Sequence, residues 1–112
     1  MLRVLQIIAA VGTIATGLVS LIAPRSVTGF TGLSPNGGRG ITEIRAVLGG
    51  FFVALGVVPL VFNQQGMYLM LGISYLVVGA VRTVSMFLDK SVERSNIISV
   101  IVEIIFGVIL VL

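Results

Sequence analysis

The residue types that this chain lacks restrict what it can do more than the ones it has. It contains no cysteine, no histidine and no tryptophan, and its only carboxylates are Glu43, Asp89, Glu93 and Glu103. Without cysteine there is no disulfide, thiolate nucleophile or thiolate metal site, and without histidine the commonest metal ligand and general base is missing. We therefore predict a protein that is not an enzyme and that has no metal and no cofactor.

Charged residues are also scarce. Only 10% of the 112 residues are charged and 57% are hydrophobic, whereas a soluble domain has about 25% charged and under about 50% apolar residues. A chain this short cannot hide so much apolar surface from water, so a lipid bilayer is the expected solvent. The net charge of +3 comes from scattered basic residues that form no stripe for nucleic acid and suit lipid phosphates better.

Four apolar runs are each long enough to cross about 30 Å of hydrocarbon as a helix. They cover residues 2–23, 41–62, 67–88 and 96–112, and a loop rich in glycine and proline covers residues 24–40. No run alternates strictly between polar and apolar residues, which argues against membrane strands. The sequence predicts an all-α integral membrane protein, with residues 1–112 as one domain forming an antiparallel four-helix transmembrane bundle. The first run is long for a signal peptide and has no cleavage pattern, so we expect a retained span.

Basic residues collect at one end of the expected bundle. The loops before the second and fourth spans share one side of the membrane and hold Arg25, Arg39, Lys90 and Arg94, which are candidates for contact with lipid headgroups. Because basic loops favour the cytoplasmic side, we expect a multi-pass protein of the cell membrane with both termini outside the cytoplasm.

Small residues recur in the spans at positions where helices could approach closely. The candidates for helix packing are Gly12, Ala46, Gly49, Gly50, Gly79 and Gly107. In a bilayer no hydrophobic effect drives helices together, so small residues that let backbones approach favour association. The alternative is that glycine is simply common in membrane helices.

Ionisable residues within the spans are the best lead to function, because charge at membrane depth is costly. Arg82 lies about 10 Å and Glu103 about 12 Å from the loop that joins their spans, at 1.5 Å per helical residue. The two spans form a hairpin, so we predict an Arg82–Glu103 ion pair. Glu103 held in this way is better suited to structural pairing than to carrying a proton.

Glu43 and Arg45 begin the second span at the same side of the membrane. Glu43 is explained by a favourable position in the first turn of a helix, and Arg45 by a side chain that extends to lipid phosphates. The alternative is that Arg45 reaches Glu103 or Glu43, which would make one network of zero net charge from these two residues, Arg82 and Glu103.

The chain also resembles a family of small bacterial membrane proteins, described as domain of unknown function 4345, and more loosely the DoxX-like four-helix proteins. The segments that carry the resemblance are Gly29–Leu33, Glu43–Ala46 with Gly49 and Gly50, Ala54–Gly56, Gly79–Arg82, Asp89 and Glu103. The resemblance implies a four-span bundle in which Glu43, Arg45, Arg82 and Glu103 are family features. It implies no activity.

These observations favour a small non-enzymatic membrane protein, a structural or accessory subunit of a homo-oligomer or of a larger membrane assembly, with an Arg–Glu network that stabilises the bundle. One alternative is a small proton- or ion-coupled transporter or channel that uses Glu103. A weaker alternative is a protein that binds a lipophilic molecule between its helices.

Overall fold

The protein consists of helices and connecting segments, without strands, in a computed structural model that describes residues 1–112. The four long helices are α1 (Leu2–Ile22), α2 (Gly37–Phe62), α3 (Gln65–Leu88) and α4 (Arg94–Val111). Each is long and apolar enough to cross a membrane. The predicted all-α fold with four candidate membrane spans is therefore confirmed.

The loop between α1 and α2 contains more helix than its composition suggested. A 3₁₀ turn covers Pro24–Val27 and a single helical turn covers Thr28–Thr31. That turn ends at Gly32, whose φ of 74° is readily adopted only by a residue without a Cβ atom. The next helix begins at Gly37, ahead of the predicted start at residue 41.

The first half of α2 contains a π-helical segment, Ile44–Phe51, within the otherwise α-helical span. A π-helix bonds each residue to the fifth one along, so each turn holds more residues than an α-turn. Side chains spaced three apart, which share a face in an α-helix, are therefore displaced from a common face along this segment. Sequence periodicity alone did not predict this wider turn.

The helices associate as two hairpins. Helix α1 packs along α2, α3 packs along α4, and the hairpins join mainly where α1 meets α4. Helix α2 contacts α3 mainly through its second half, Phe52–Phe62, so these two helices separate away from the turn that joins them. The molecule measures 40 × 30 × 17 Å, and its greater width in one direction agrees with this separation.

The buried core lies toward the end of the molecule where α2 turns into α3. It consists of five residues from α1, α3 and α4, namely Ala9, Ala10, Tyr68, Leu71 and Leu110. Only 20 of the 112 residues are buried, and the outward faces of the helices are mainly valine, isoleucine and leucine. A continuous apolar exterior of this kind fits a lipid environment and not water.

Glycines determine how closely the helices of each hairpin approach. A Cβ atom on Gly17 would lie 2.7 Å from the carbonyl oxygen of Gly49, and one on Gly56 would lie 2.5 Å from that of Ala10. Four glycines singled out from the sequence also lie against a neighbouring helix, at the positions Gly12, Gly49, Gly79 and Gly107.

Two of the predicted packing residues face outward instead. Ala46 and Gly50 are exposed, and a Cβ atom on Gly50 would meet only a backbone oxygen of its own helix, at 3.8 Å. The face of α2 that contacts α1 runs through Gly49, Val53 and Gly56. Adjacent residues of a helix point in different directions, so only one of the pair Gly49–Gly50 belongs to that face.

Candidate functional site

A cleft lies between the two hairpins, at the end of the molecule that carries the long loop and the α3–α4 connection. Its volume is about 590 Å³, within the range of about 300–1,000 Å³ that is typical of ligand pockets. We call it the interhairpin cleft. Its lining comprises Thr16, Gly29, Phe30, Thr31, Leu48, Phe52, Tyr75, Val78, Arg82, Arg94, Ser95, Ile98, Ser99, Val102, Glu103 and Phe106.

An ion pair between Arg82 and Glu103 forms part of the cleft wall. Arg82 Nε lies 2.8 Å from Glu103 Oε1, and Arg82 Nη2 lies 3.0 Å from Glu103 Oε2. Arg82 Nη1 also donates to Asn96 Oδ1 at 3.1 Å. The predicted pairing of Arg82 with Glu103 is thus confirmed, with the two-bond geometry in which guanidinium and carboxylate bind most strongly.

The sequence around these residues lets the two helices meet closely. Gly79 lies nearly one turn before Arg82 on α3, and a Cβ atom there would lie 3.1 Å from Ile104 and 3.5 Å from Cβ of Glu103. The absence of a side chain therefore leaves room for Glu103, which is 8% exposed. Asn96 in turn donates from Nδ2 to the carbonyl of Ser91 at 2.9 Å, which ties the α3–α4 connection to the same network.

Glu43 and Arg45 do not join this pair. Glu43 accepts a hydrogen bond from Arg39, one helical turn earlier, and both side chains are largely exposed, while Arg45 is exposed as well. The first half of α2 packs on α1 and not on α3, so its charges cannot reach Arg82 or Glu103. The predicted four-member network is therefore absent, and the outward-facing arginine fits the structure. Glu43 is not a first-turn carboxylate, because α2 begins ahead of the predicted position and Glu43 lies 7 residues into it.

The rest of the cleft wall is aromatic and apolar with scattered hydroxyl groups. The rings of Tyr75 and Phe106 meet edge to face, with centroids 5.6 Å apart and planes at 88°. The hydroxyl of Tyr75 forms a short hydrogen bond with the hydroxyl of Thr13 on α1, which links the hairpins beside the cleft. Phe30 and Phe52 lie on the opposite hairpin and its loop.

Several residues of the cleft wall and its hydrogen-bond network could not be recognised from the sequence. Asn96 and Phe106 carried no signal, because a polar residue near a span end and one aromatic in an apolar run are both ordinary. Tyr75 is likewise a single aromatic residue within an apolar run. Met67 and Met70 line a different and smaller cavity, of about 190 Å³, beside α2 and α3.

A second polar cluster lies at the opposite end of the molecule. Arg3 donates from Nη2 to Gln65 Oε1 at 3.0 Å and stacks over the ring of Tyr68, with Cζ 4.4 Å from the centroid. Gln6, which is buried, donates to the carbonyl of Ile109 at 3.1 Å. These contacts satisfy polar groups near the end of α4 and join α1 to both helices of the second hairpin.

The four basic residues expected to meet lipid headgroups are all exposed at the cleft end of the molecule. They are Arg25, Arg39, Lys90 and Arg94. Only Arg94 lines the interhairpin cleft, where it is the first residue of α4. Chemically, the cleft combines a solvated cation at its edge, a paired Arg–Glu group in its wall and apolar surface beside them, and this combination suits an amphipathic molecule.

Comparison with known proteins gives a family without an assigned activity. No curated protein and no solved structure matches the chain. The family model described as domain of unknown function DUF4345 matches residues 1–112, the whole of the sequence. This chain therefore belongs to the DUF4345 family.

Proposed function

We propose that this DUF4345 protein is a non-enzymatic membrane protein whose four long helices form an antiparallel transmembrane bundle. Three observations support this. The helices are long and apolar enough to span a bilayer, their outward faces are apolar, and contacts within each hairpin pair early residues of one helix with late residues of the next. We place the protein in the cell membrane with both termini outside the cytoplasm, because the basic residues gather at the opposite end.

Within this bundle, the function that the geometry supports best is the binding of a lipophilic molecule in the interhairpin cleft. The observation that carries the proposal is the cleft itself, about 590 Å³, in which 8 of the 16 lining residues are hydrophobic and the others include charged and hydroxyl side chains. Because α2 and α3 separate near this end, a molecule can enter from the lipid phase without crossing water. The Arg82–Glu103 pair then serves to hold α3 and α4 together beside the bound molecule.

Proton- or ion-coupled transport through Glu103 is the second candidate, and it is favoured only by the position of Glu103 in the cleft wall. Both carboxylate oxygens of Glu103 accept hydrogen bonds from Arg82. This pairing counts against transport, because the same carboxylate would have to bind and release the proton. Proton flux into liposomes that contain the protein, compared with Glu103→Gln, decides this point. A flux that the substitution abolishes without changing stability supports transport.

A role as a structural or accessory subunit of a homo-oligomer or larger assembly is a further proposal. The exposed residues Ala46, Gly50 and Ala54 follow one another at intervals of four on α2 and form a row of small residues. Small-residue rows of this kind suit helix–helix contact in a bilayer. The mass of the protein in native membrane nanodiscs, with any partner that accompanies it, tests this proposal.

A pair of variants on α4 tests ligand binding. Ser99 lines the cleft and Ile101 does not, since Ile101 lies on the outward face and is 51% exposed. Ser99→Trp fills cleft volume with a large ring, whereas Ile101→Trp places the same ring in lipid. We expect Ser99→Trp to retain at least about tenfold less of the lipophilic molecule that accompanies the wild type, which corresponds to about 1.4 kcal/mol of binding free energy.

The measurement is native mass spectrometry of the three proteins extracted directly from the membrane with their surrounding lipid. Equal retention by Ser99→Trp and Ile101→Trp, or no molecule held by the wild type, contradicts binding in the cleft. Thermal unfolding of both variants serves as the control for a general loss of structure.

A further inference from the structure

The ionisable residues of the interhairpin cleft carry an excess of positive charge. The charged side chains in its lining are those of Arg82, Arg94 and Glu103. Glu103 is already bound by Arg82, so the charge of Arg94 has no counterpart within the cleft. No salt bridge involves Arg94, since the ion pairs of the molecule are Arg39–Glu43 and Arg82–Glu103.

Arg94 also occupies a position that is unfavourable for a cation on its own. It is the first residue of α4, where the helix macrodipole is positive and no side chain caps the free N–H groups. The neighbouring Glu93 is exposed and does not line the cleft, and Asp89 accepts a hydrogen bond from Ser85 at 2.6 Å. A negatively charged group bound beside Arg94 and Ser95 would relieve this accumulation of positive charge.

Arg82 has capacity for such a group as well. A guanidinium has five N–H donors, and three of those on Arg82 are used by Glu103 and Asn96. The side chain is 30% exposed although its partner is buried, and it lines both the cleft and a neighbouring cavity of about 370 Å³ on the side of Asn96. The two remaining donors suit an oxyanion, whereas a cationic ligand would be repelled by both arginines of the lining.

The apolar part of the lining limits the rest of the ligand. Phe52, Val102 and Phe106 offer hydrocarbon and ring surface with no unpaired charge, beside the hydroxyl of Tyr75, which is satisfied by Thr13. A volume of about 590 Å³ is of the size that encloses a drug-sized molecule, and a diacyl lipid would have to leave much of its bulk outside.

From these features we propose that the interhairpin cleft binds a single-chain amphiphile with an anionic head, a phosphate or a carboxylate, and that Arg94 with the free donors of Arg82 recognises the head. This inference rests on the proposed function, because it names the chemical class of the molecule in the cleft. Charge-assisted hydrogen bonds between guanidinium and oxyanion supply the selectivity. The hydrocarbon chain lies against the aromatic wall.

The test uses the absence of tryptophan in the chain. Phe52→Trp places a single fluorescent reporter in the cleft, and Ile101→Trp places one on the lipid-facing surface as a matched control. Both are reconstituted in nanodiscs of zwitterionic lipid and titrated with hexadecyl phosphate, hexadecanoate and hexadecanol, each brominated along the chain so that contact quenches fluorescence. Quenching of the lipid-facing reporter measures how much of each probe enters the bilayer.

We expect the phosphate and the carboxylate to quench the cleft reporter at concentrations about tenfold lower than the alcohol, after correction with the lipid-facing reporter. Arg94→Gln should reduce this difference to about twofold or less, because it removes the positive charge that binds the anionic head. The concentration at which the alcohol quenches the reporter should not change. Lys90→Gln, which removes an exposed cation that does not line the cleft, leaves the difference intact. Stronger binding of hexadecyl phosphate indicates a phosphate lipid, and stronger binding of hexadecanoate a free fatty acid.

Two results overturn the inference in distinguishable ways. If all three probes quench the cleft reporter equally, the cleft binds a hydrocarbon chain but does not select an anionic head. If no probe quenches it more than the lipid-facing reporter, the cleft takes no amphiphile, as when a helix of another subunit fills it, and the proposed function fails together with the inference.

Discussion

The side chain of Arg82 makes three hydrogen bonds to two residues of α4. It reaches Glu103 in the middle of α4 and Asn96 near its beginning, and Asn96 holds the connection through Ser91. One guanidinium therefore sets the register of α3 against α4 over two helical turns. Replacing one partner of the pair by an apolar residue leaves the other charge buried without a counterion, which destabilises the protein. Replacing both partners leaves an apolar contact.

A double-mutant cycle tests this account of the pair. Arg82→Leu and Glu103→Leu should each lower the free energy of unfolding by about 3 kcal/mol, because each leaves an uncompensated charge in the hairpin contact. The double variant should recover most of this loss. The measurement is unfolding in mixed micelles with increasing sodium dodecyl sulfate.

The matched control for this cycle is Arg39→Leu, which removes the exposed pair with Glu43 one turn apart on α2. A surface pair of this kind contributes under about 1 kcal/mol, so the control should unfold almost as the wild type does. A double variant whose loss equals the sum of the single losses would show that Arg82 and Glu103 act independently.

At the scale of the helices, glycine determines which pairs pack closely. The α1–α2 contact brings Gly17 against backbone atoms of Gly49 and Val53, so there is no flexible side chain that could move aside. The α3–α4 contact is close in the same way at Gly72, where an added Cβ would lie 3.0 Å from the carbonyl oxygen of Gly107. In both hairpins the backbones of the two helices therefore approach closely. Close approach of this kind favours helix association in a bilayer, where no hydrophobic effect drives the helices together.

Adding one methyl group at this contact should separate the helices. Gly17→Ala is expected to lower the free energy of unfolding by about 1–3 kcal/mol, because the new Cβ overlaps backbone that cannot relax. Gly66→Ala is the control, since Gly66 lies in the first turn of α3 with nothing within 4 Å of an added Cβ. The control should be neutral or more stable by under about 1 kcal/mol, since alanine favours a helix over glycine. Equal stability of the two variants would refute the close-approach account.

At the scale of the whole molecule, the two ends differ in charge. The end with the long loop and the α3–α4 connection carries Arg25, Arg39, Lys90 and Arg94. The opposite end carries Arg3, which donates a hydrogen bond to Gln65 and stacks on the ring of Tyr68. The short turn between α2 and α3 contains no charge. This difference in basic residues is the physical basis for an orientation in the membrane.

Single cysteines can report that orientation, since the natural chain has none. We expect Gln64→Cys, in the turn between α2 and α3, to react with a membrane-impermeant maleimide on intact cells. Ser34→Cys, in the loop at the basic end, should react only after the membrane is opened, because basic loops remain on the cytoplasmic side. The reverse pattern would place the basic end outside and contradict the orientation.

The sequence was sufficient to predict the four long helices and one contact between two of them. Arg82 and Glu103 could be paired by counting residues from a short connection, because helical rise converts sequence distance into depth. The same counting could not exclude Glu43 and Arg45 from the network. Their exclusion depends on whether the first half of α2 packs on α1 or on α3, and hairpin arrangement is not encoded in residue counts.

Residue order alone was enough to predict the helical class and four helices long and apolar enough to cross a membrane. The physical reason is that an apolar run of this length can satisfy its backbone groups within a single helix. The packing of the helices, in contrast, fixes which of two adjacent glycines faces a neighbour and where the hairpins separate. It also fixes that the separation leaves a cleft lined by Arg82, Arg94 and Tyr75. These features arise from the packing of helices against each other, where the small differences between alternative faces depend on all four helices at once.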